Sequence, residues 1–476
     1  MSSGNETHFD VIVIGGGAVG ENVAQRTVDG GLSTVVIESE LVGGECSYWA
    51  CMPSKALLRP AAALEAARRV MGANEAITGT LDAEKVLERR NSFTSSWDDA
   101  GQVEWLDGVG ISLLRGRGRL AGERIVEVTK PDGSIARVVA NQAVVLANGS
   151  VPIVPPIQGL DSVSYWGTRE ATSAKYVPGR LVVLGGGVSG VELAQAFARF
   201  GSSVTIIARH GLLGNFPEPA SELVVDALRG EGLDLRLHTG TARVSQAHSG
   251  AKQVHLDNGD VVEGDELLVS TGRRPALEDL GLEVVGVNTE KLSVGPDGWV
   301  GEVPEGWLYA VGDVAGKVLL THQGKYEARI TGDVIAARAR GEVGPDVAPW
   351  SRFAVTADTY AVPQVVFTDP EIAMVGRSAA QAEGDGVRVR VVEHELNVAG
   401  ASLLADEYRG WAQMVVDEDR GVIVGMTFAG QDVAELLHSA TIAIAGEVPL
   451  TRLWHAVPPY PTMSEVWLRL LESYGL

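Results

Sequence analysis

The sequence predicts an α/β protein with two Rossmann-like dinucleotide-binding domains and a C-terminal α+β domain. Three observations predict this fold. Near residue 9, a short apolar run, a glycine-rich turn and a helical segment follow one another, as in a dinucleotide-binding fold. The same order recurs 170 residues later. From about residue 350 the pattern changes to alternating strands and two helices.

The first copy begins with the apolar run Phe9-Asp10-Val11-Ile12-Val13-Ile14 and continues into a turn with three spaced glycines. These glycines permit a tight turn, close approach of the backbone to a pyrophosphate and close packing of a helix on a strand. Residues 22–28 continue as that helix, and a second strand ends at an acid that can accept hydrogen bonds from ribose hydroxyls. The residues predicted to bind the first dinucleotide are Gly15, Gly17, Ala18, Gly20 and Glu38.

The second copy has a strand at residues 181–184, a glycine-rich turn, a helix at 192–200 and a strand at 204–208. Two such folds indicate two dinucleotides. Glu38 of the first copy corresponds to Ala208 of the second, and Arg209 and His210 follow. Because a guanidinium can hold a ribose 2′-phosphate, this change favours NADPH, with NADH as the other candidate. An ordinary surface role is the alternative for the arginine. The glycines predicted to bind the second nucleotide are Gly185, Gly187 and Gly190.

The only two cysteines in 476 residues, Cys46 and Cys51, lie in one glycine-flanked segment that ends at Lys55. In a regular helix their Cα atoms would be about 8 to 9 Å apart, whereas a disulfide tolerates at most roughly 7 Å. A bridge therefore requires a distorted turn, which Pro53 favours because it has no N–H for the carbonyl of Trp49. A strained bridge is easily reduced, so we predict a redox-active pair. Two unrelated core cysteines are the alternative.

This segment reads Gly-Gly-x-Cys-x4-Cys-x-Pro-Ser-Lys. It resembles the redox-active segment of the class I pyridine nucleotide-disulfide oxidoreductases, the family of dihydrolipoamide dehydrogenase, glutathione reductase and mercuric reductase. Companion motifs extend the resemblance along nearly the whole chain. It implies that FAD occupies the first site and NAD(P)H the second. It also implies that Cys46 is the interchange thiol, which attacks the substrate, and that Cys51 faces the flavin.

The resemblance assigns roles to further residues. In the family, the lysine that matches Lys55 pairs with the glutamate that matches Glu192, and the pair lies against the flavin N5; an exposed position on a helix over residues 56–72 is the alternative for the lysine. The aspartate that matches Asp313 bonds the flavin ribityl or pyrophosphate region, and a plain turn residue is the alternative there. Residues 321–324 are expected on a helix beneath the flavin. Other positions assigned to cofactor binding are Gly44, Asn148, Gly149, Gly272 and Gly312.

The resemblance also divides the chain into segments. It implies an FAD-binding domain over residues 1–150 and 274–349, an NAD(P)H-binding domain over 151–273 and an interface domain over 350–476. The interface domain is expected to form a homodimer and to supply residues to the partner's active site. Two positions weaken the preference for NADPH. Gly190 stands where NADPH enzymes of the family often carry alanine, and Asn215 stands where glutathione reductase has a second arginine.

The C-terminal segment departs from the family pattern His-x-His-Pro-Thr-x-x-Glu. Pro461, Thr462 and Glu465 match, but Tyr460 occupies the position of the second histidine, the acid/base that serves the interchange thiol. A tyrosine with its ordinary pKa cannot act as a base at neutral pH, although it can donate a hydrogen bond. We expect Tyr460 to orient or protonate the substrate and Glu465 to keep a structural bond. A rearranged loop that brings in His455 is the alternative.

Composition excludes some classes of partner. Acidic residues outnumber basic ones by 61 to 39, which argues against nucleic acid and anionic membranes. The polar residues 1–8 do not resemble a secretory leader, and no apolar segment is long enough to span a bilayer. Two cysteines in one motif suit a reducing compartment, so a cytoplasmic location is expected. No metal site is predicted.

The leading hypothesis is a dimeric FAD enzyme in which NAD(P)H reduces the flavin and the flavin opens a Cys46–Cys51 disulfide. Cys46 then attacks a small disulfide or another electrophile. Two alternatives remain open: an NAD(P)H:quinone-type reductase with secondary cysteines, and a slow redox-sensing flavoprotein. Mercuric reductase and the high-mass thioredoxin reductases are disfavoured because both need further C-terminal redox residues, and the chain has no other cysteine. The identity of the acceptor is not predicted.

Overall fold

The computed structural model describes residues 6–476. Residues 1–5, part of the polar stretch taken to exclude a leader, lie outside the described residues. The chain forms two compact units. The first contains the residues up to Met52, Asn91–Ile153 and Arg273–Asp358, and the second contains Pro53–Arg90, Val154–Gly272 and Thr359–Leu476. The four-segment division expected from the resemblance is finer than these two units and stays a prediction.

The helices are given in chain order. The first seven are α1 (Ala18–Asp29), α2 (Gly44–Tyr48), α3 (Cys51–Arg68), α4 (Ala83–Phe93), α5 (Ala100–Gly108), α6 (Thr168–Thr172) and α7 (Val188–Arg199). The others are α8 (Glu218–Gly230), α9 (Thr321–Ala339), α10 (Ala379–Gly384), α11 (Ala399–Leu404), α12 (Leu437–Ala445), α13 (Leu450–Leu453) and α14 (Glu465–Tyr474).

The strands are given in the same way. The first seven are β1 (Thr7–Ile14), β2 (Thr34–Glu38), β3 (Ser112–Arg115), β4 (Arg117–Gly122), β5 (Ile125–Thr129), β6 (Ile135–Leu146) and β7 (Ser150–Pro152). The next seven are β8 (Arg180–Leu184), β9 (Ser203–Ala208), β10 (Asp234–Leu237), β11 (Thr241–Gln246), β12 (Lys252–Leu256), β13 (Val261–Gly264) and β14 (Glu266–Val269). The last seven are β15 (Arg273–Pro275), β16 (Leu308–Ala310), β17 (Pro363–Val366), β18 (Glu371–Gly376), β19 (Val389–Glu395), β20 (Trp411–Asp417) and β21 (Val422–Gly430).

The first unit is built around a sheet of order β3-β2-β1-β6-β5-β4, with β16 also paired to β6. Strands β3, β2, β1, β6 and β16 are parallel, and β4 and β5 add an antiparallel ribbon. Alternate residues of β1 belong to two different apolar clusters. Val11 and Val13 pack in the cluster on one face of the sheet, and Ile12 and Ile14 pack in the cluster on the other face. A strand buried on both faces in this way is typical of a parallel sheet covered on both sides.

The second unit contains a parallel sheet of order β10-β9-β8-β14 and a separate antiparallel sheet of order β17-β18-β21-β20-β19. One apolar cluster joins residues from three parts of this unit: Leu57 of α3, Val183 of β8 and Ile372 of β18 all belong to it. This shared core explains why residues 53–90 group with the second nucleotide fold and the C-terminal sheet.

Two local predictions were wrong. The helix expected over residues 56–72 ends at Arg68. The backbone beyond it bonds to a distant residue, because the carbonyl of Arg69 accepts from the N–H of Asp406 and the N–H of Met71 donates to the Asp406 carboxylate. The C-terminal region has five short helices, α10–α14, rather than two. Short helices such as α12, which has 9 residues, contain too few turns for a helical period to be recognised in the sequence.

Candidate active site

Both cysteines lie in the first unit, Cys46 in the short helix α2 and Cys51 at the start of α3. Gly43 and Gly44 have positive φ angles of 108° and 59°, which suit glycine alone. The carbonyl of Glu45 accepts from both Trp49 N–H, at 2.8 Å, and Ala50 N–H, at 2.7 Å. Helix α2 therefore ends at Tyr48 and α3 begins at Cys51. The turn between the two cysteines is distorted, as the spacing argument requires for a disulfide.

Both cysteines are half-buried and are present as thiols. Cys51 Sγ lies 3.3 Å from the Thr321 hydroxyl at the start of α9. A hydrogen bond with Cys51 and burial raise the pKa of the Cys46 thiol, whereas hydrogen bonding to Thr321 and the charge of Lys325 lower that pKa. The two thiols are thus hydrogen-bonded to each other at the break between α2 and α3. Their reactivity depends on α9 as well as on their own segment.

The carboxyl edge of the parallel sheet in the first unit gathers the residues predicted for the first dinucleotide. Ile14 of β1 is in register with Ile37 of β2 and Leu146 of β6, and Leu146 is in register with Ala310 of β16. The segments that follow these strands therefore meet at one edge, where α/β sheets bind ligands. They carry Gly15, Gly17, Ala18, Gly20, Glu38, Asn148, Gly149, Gly312 and Asp313.

Glycine is required in the first turn for steric reasons. Gly15 has a φ of 107°, and a Cβ there would lie 2.5 Å from the carbonyl oxygen of Ala147. A Cβ on Gly20 would lie 1.9 Å from the carbonyl oxygen of Gly15. Gly17 caps helix α1 and has only the Gly44 Cα, at 3.8 Å, near its Cβ direction. A Cβ at Gly17 would thus meet only glycine backbone, and a helix N-terminus with such a turn suits a phosphate.

The polar residues at this edge are also held in place. The Glu38 carboxylate accepts from Gly16 N–H at 2.7 Å and from Glu40 N–H at 2.7 Å. Asn148 donates to the carbonyl of Ala276 at 2.6 Å. The Ser150 hydroxyl donates to Asp313 and accepts from Arg273 at 2.8 Å. Asp313 is therefore oriented by a hydroxyl rather than left as a mobile turn residue.

A buried carboxyl supports the loop that carries Gly312 and Asp313. Glu327 of α9 accepts from Gly312 N–H at 2.7 Å. Burial and the neighbouring Asp358 raise the pKa of Glu327 to about 8, against the opposing effects of the Gly312 N–H and Lys317. The raised pKa favours the protonated form of this carboxyl, which can support the loop without adding a negative charge beneath it.

The second glycine turn, in the second unit, repeats the geometry of the first. Gly185 has a φ of 124°, and a Cβ there would lie 2.1 Å from the carbonyl oxygen of Ser270. Gly187 caps α7 with open space at its Cβ position, and Gly190 lies against the Gly185 carbonyl. Gly272, with a φ of 117°, follows β14 at the same edge. This turn can therefore accept a second nucleotide phosphate in the same way as the first.

The residues that follow β9 and β10 are basic. Arg209 and His210 are exposed, and the segment after them returns to the glycine turn because Leu213 N–H donates to the Gly186 carbonyl at 2.8 Å. His238, also exposed, follows β10 with a φ of 54°, and its N–H lies 3.4 Å from the His210 carbonyl. Three side chains that can carry positive charge thus lie beside the second turn, where the first copy has an acid.

The lysine and the glutamate assigned by the resemblance meet within the second unit. Lys55 Nζ lies 2.6 Å from Glu192 Oε2. The other oxygen of Glu192 accepts from Phe367 N–H at 2.8 Å, and Lys55 Nζ lies 4.8 Å from the centre of the Phe367 ring. Glu192 is 3% exposed and Lys55 is 35% exposed. The buried acid fixes the lysine while the ammonium stays accessible.

The sequence of the chain matches two adjoining family descriptions. Residues 9–330 match "Pyridine nucleotide-disulphide oxidoreductase", and residues 362–470 match the dimerisation domain of the same family. The chain belongs to the pyridine nucleotide-disulphide oxidoreductase family. This confirms the family, the fold class and the assignment as an oxidoreductase that were predicted from the cysteine segment and its companion motifs.

Relatives within the family differ in their named activities. Mercuric reductase of Acidithiobacillus ferrooxidans is 32% identical over 469 residues, which cover 98% of this chain and 82% of the relative. Dihydrolipoyl dehydrogenase of Chlorobaculum tepidum is 30% identical over 463 residues, which cover 96% of this chain and 95% of the relative. Similar identities to two different activities give the family but not the acceptor.

Solved structures agree on the fold. The HOCl-induced flavoprotein disulfide reductase RclA of Escherichia coli, solved as a Cu(II) complex, superposes with a TM-score of 0.83 at 24% identity, covering 98% of this chain and 99% of that one. LpdA of Mycobacterium tuberculosis gives a TM-score of 0.82 at 23% identity, covering 99% and 100%. Among residues 6–476, no helix is long and apolar enough to cross a membrane, and no group of metal-ligating side chains is present.

Members of this family bind FAD and a pyridine nucleotide. The first glycine turn fits FAD, because a side chain at Gly15 or Gly20 would collide with backbone, whereas a Cβ at Gly17 would meet only the Gly44 backbone at the α1 N-terminus. Gly17, Ala18, Glu38 and Asp313 would hold the dinucleotide part of this cofactor.

The C-terminal segment departs from the family pattern at Tyr460. Tyr460 is 77% exposed, and His455 is exposed as well. Glu465 begins α14 and accepts from Arg469 at 2.6 Å through one carboxylate oxygen. Its other oxygen is buried and has no hydrogen-bond partner among the described residues. Glu465 thus bonds within its own helix, and the role expected of it stays a prediction. Tyr460 faces solvent in the single chain.

Sequence reasoning missed several residues of these sites. Thr321 and Lys325 reach the cysteines from a helix that begins 270 residues after Cys51. The sequence predicts a helix over residues 321–324 but gives no signal that this helix contacts the thiols. His238 joins Arg209 and His210 through pairing of β9 with β10, which becomes visible only when the sheet order is known.

Proposed function

We propose that this chain is an FAD-dependent NAD(P)H:disulfide oxidoreductase that passes electrons through the Cys46–Cys51 pair to a small disulfide or another electrophile. The observation that carries the proposal is the thiol pair at the break between α2 and α3, whose segment begins at the glycines that line the first nucleotide turn. A permanent structural disulfide would need no hydroxyl partner, whereas Cys51 Sγ lies 3.3 Å from the Thr321 hydroxyl, where it can be stabilised as a thiolate.

The chemistry that FAD supplies when bound is acceptance of a hydride from the pyridine nucleotide and release of the electron pair to sulfur. The chain's own steps follow. The Cys46 thiolate attacks a disulfide acceptor, forms a mixed disulfide and releases one thiolate. Cys51 then attacks the Cys46 sulfur, releases the second thiol and restores the Cys46–Cys51 disulfide. The two electrons that leave on the acceptor are those stored in the thiol pair.

The proposal gives the remaining site residues specific tasks. Lys55, fixed by Glu192, supplies a positive charge for a reduced cofactor, as the resemblance implies. Gly185, Gly187, Gly190 and Gly272 hold the pyridine nucleotide. Arg209 and His210 favour NADPH over NADH because they replace the ribose-binding acid of the first copy with positive charge.

The proposal includes a homodimer. The match of residues 362–470 to the family's dimerisation domain supports it. The exposure of Tyr460 supports the idea that this side chain serves the active site of a second copy of the chain, where it donates a hydrogen bond to the substrate. A cytoplasmic location is proposed with it, on the basis of cysteine usage alone.

Comparison of Cys46→Ala, Cys51→Ala and wild type tests the proposal. The assay follows NADPH-dependent release of thiols from oxidised lipoamide, glutathione disulfide and an aromatic disulfide, each offered to the flavin-loaded enzyme. We expect both variants to lose nearly all turnover while they retain flavin and its reduction by NADPH. Turnover of the preferred acceptor by Cys46→Ala at the wild-type rate would contradict the thiol mechanism.

A second candidate is direct transfer of electrons to a quinone, and the replacement of the family histidine by Tyr460 favours it. This candidate does not require Cys46. Quinone reduction that is fast in wild type and unchanged in both cysteine variants, together with slow reduction of every disulfide, is the result that it predicts.

A further inference from the structure

Helix α9 brings a positive charge to the thiol pair. Thr321, its first residue, contacts Cys51 Sγ. Lys325 lies four residues later, so the two side chains share one face of the helix. The charge of Lys325 lowers the pKa of the Cys46 thiol, against the hydrogen bond with Cys51 and the burial that raise it. Lys325 therefore lies on the face of α9 whose first residue contacts the thiol pair.

The same lysine faces a carboxyl on helix α1. The two helices cross closely, because a Cβ on Gly324 would lie 2.7 Å from Val19 Cγ2. Glu21 follows Val19 by two residues, and Lys325 directly follows Gly324. Glu21 Oε1 is buried without a hydrogen-bond partner among the described residues. Burial raises the pKa of Glu21 to about 7, Lys325 opposes this rise and Glu38 adds to it.

We propose that Lys325 stabilises the Cys46 thiolate and that Glu21 competes with the thiolate for this lysine, so that α1 and α9 together set the reactivity of the interchange thiol. Lys325 is a positioning residue, because it acts on the reaction through its charge on Cys46. It supplies, from the unit that contains the cysteines, the positive charge that the family histidine would give and that Tyr460 cannot. The inference rests on the proposed function only in taking Cys46 as the reactive thiol.

The charged and titratable groups around the pair are few. Cys51 faces Cys46 from α3 and Lys325 faces it from α9. On α1, Glu21 is affected by two of these charges: Lys325 lowers the pKa of Glu21, and Glu38 on β2 raises it, in addition to the rise caused by burial. Tyr48, on the same helix as Cys46, is buried and close to Glu21, and burial followed by Asp99 and Glu21 raises its pKa to about 12. Tyr48 thus stays neutral. Glu45, which precedes Cys46 on α2 and has a buried Oε2, is a further carboxyl beside the pair, and it is unchanged in every variant of the test below.

The test measures alkylation of Cys46 in the reduced, flavin-loaded enzyme, without acceptor or turnover. Iodoacetamide forms an S–C bond with the thiolate and releases iodide, and peptide mass spectrometry locates the product. In Lys325→Met, we expect the pH midpoint for alkylation of Cys46 to rise by about one unit. The rate at pH 7 then falls roughly tenfold. Lys325→Arg should keep most of the wild-type alkylation rate, because arginine also carries a positive charge at this position.

The matched control is Arg329→Met, which removes an exposed positive charge one turn further along α9. It should leave the midpoint unchanged. An unchanged midpoint in Lys325→Met, or equal shifts in both methionine variants, would overturn the inference. If Lys325→Met does not fold, Glu21→Gln decides: a lower midpoint supports the competition, and an unchanged midpoint refutes it. Because alkylation needs no acceptor, this result is independent of whether a disulfide or a quinone is the substrate.

Discussion

The two nucleotide folds of this chain share one backbone plan and differ in the residue that follows the second strand. Gly15 and Gly185 both have positive φ angles, and Gly31 and Gly201, also 170 residues apart, repeat the agreement with values of 87° and 103°. At the end of the second strand the first copy has Glu38 and the second has Ala208. The glycines therefore shape the two turns alike, whereas the residue after the second strand is where the copies differ, and the proposed preference for NADPH depends on that difference.

The largest effects are expected from alanine substitutions at the first glycine of each copy, which should impair the binding of different cofactors. A methyl group at Gly15 would lie 2.5 Å from the Ala147 carbonyl oxygen, and one at Gly185 would lie 2.1 Å from the Ser270 carbonyl oxygen. We expect Gly15→Ala to be purified largely without flavin, and Gly185→Ala to keep flavin but to raise the KM for NAD(P)H by roughly a hundredfold. Flavin absorbance and steady-state kinetics check these outcomes. Loss of flavin in Gly185→Ala would contradict the assignment of FAD to the first copy and NAD(P)H to the second.

The next effect concerns the side chains that distinguish the copies. In Arg209→Ala, the KM for NADPH should rise roughly tenfold while the KM for NADH stays within about twofold, because only NADPH offers a 2′-phosphate. Arg229→Ala, which removes an exposed arginine from α8, is the control for net charge. Equal changes in the KM for NADPH and the KM for NADH would show that Arg209 does not bind the 2′-phosphate.

A pH effect on stability should mark the first copy. Glu327, which bonds Gly312 N–H, has a folded pKa raised from 4.5 to about 8 by burial and Asp358. The folded state then binds a proton that the unfolded state releases, so this carboxyl lowers the free energy of unfolding as pH rises from about 4.5 to about 8.

Glu327→Gln should therefore gain stability relative to wild type across that window, by on the order of 1 kcal/mol at pH 8. Thermal melts of both proteins at pH 5 and pH 8.5 measure this difference. A difference that is the same at both pH values would contradict the raised pKa.

The smallest effect belongs to His238, the third basic residue beside the second turn. Its side chain is exposed and lies next to the segment that contains Arg209 and His210. His238→Ala should raise the KM for NADPH by about threefold, because a polar side chain beside the Arg209 segment can bond the 2′-phosphate that only NADPH carries. The KM for NADH provides the control, and the same change for both nucleotides would exclude a role in phosphate binding.

Much of the fold and the site could be predicted because the evidence was local in sequence. The turn glycines follow strands directly, and their positive φ angles are a property of single residues. Pairing of Lys55 with Glu192 was predicted through the family resemblance, and the 2.6 Å contact agrees with it. The distorted turn between the cysteines followed from helix geometry and the distance limit of a disulfide.

The remaining features depend on tertiary contacts between distant residues. The α3 helix ends at Arg68 because Asp406 takes the next backbone groups, and no pattern near residue 68 encodes this. Thr321 and Lys325 reach the thiols through the position of α9. His238 is assigned through the order of strands in a sheet. Contacts of this kind are properties of the folded chain, and a single sequence carries no direct signal for them.

An anaerobic titration of the oxidised, flavin-loaded enzyme with NADPH, followed by quantification of thiols, tests the central claim most directly. If the sulfur pair stores the electrons, wild type should gain about two thiols per chain and consume one two-electron equivalent more than Cys51→Ala, which should gain none. Full reduction of the flavin in wild type without new thiols, at the same NADPH consumption as the variant, would contradict the account.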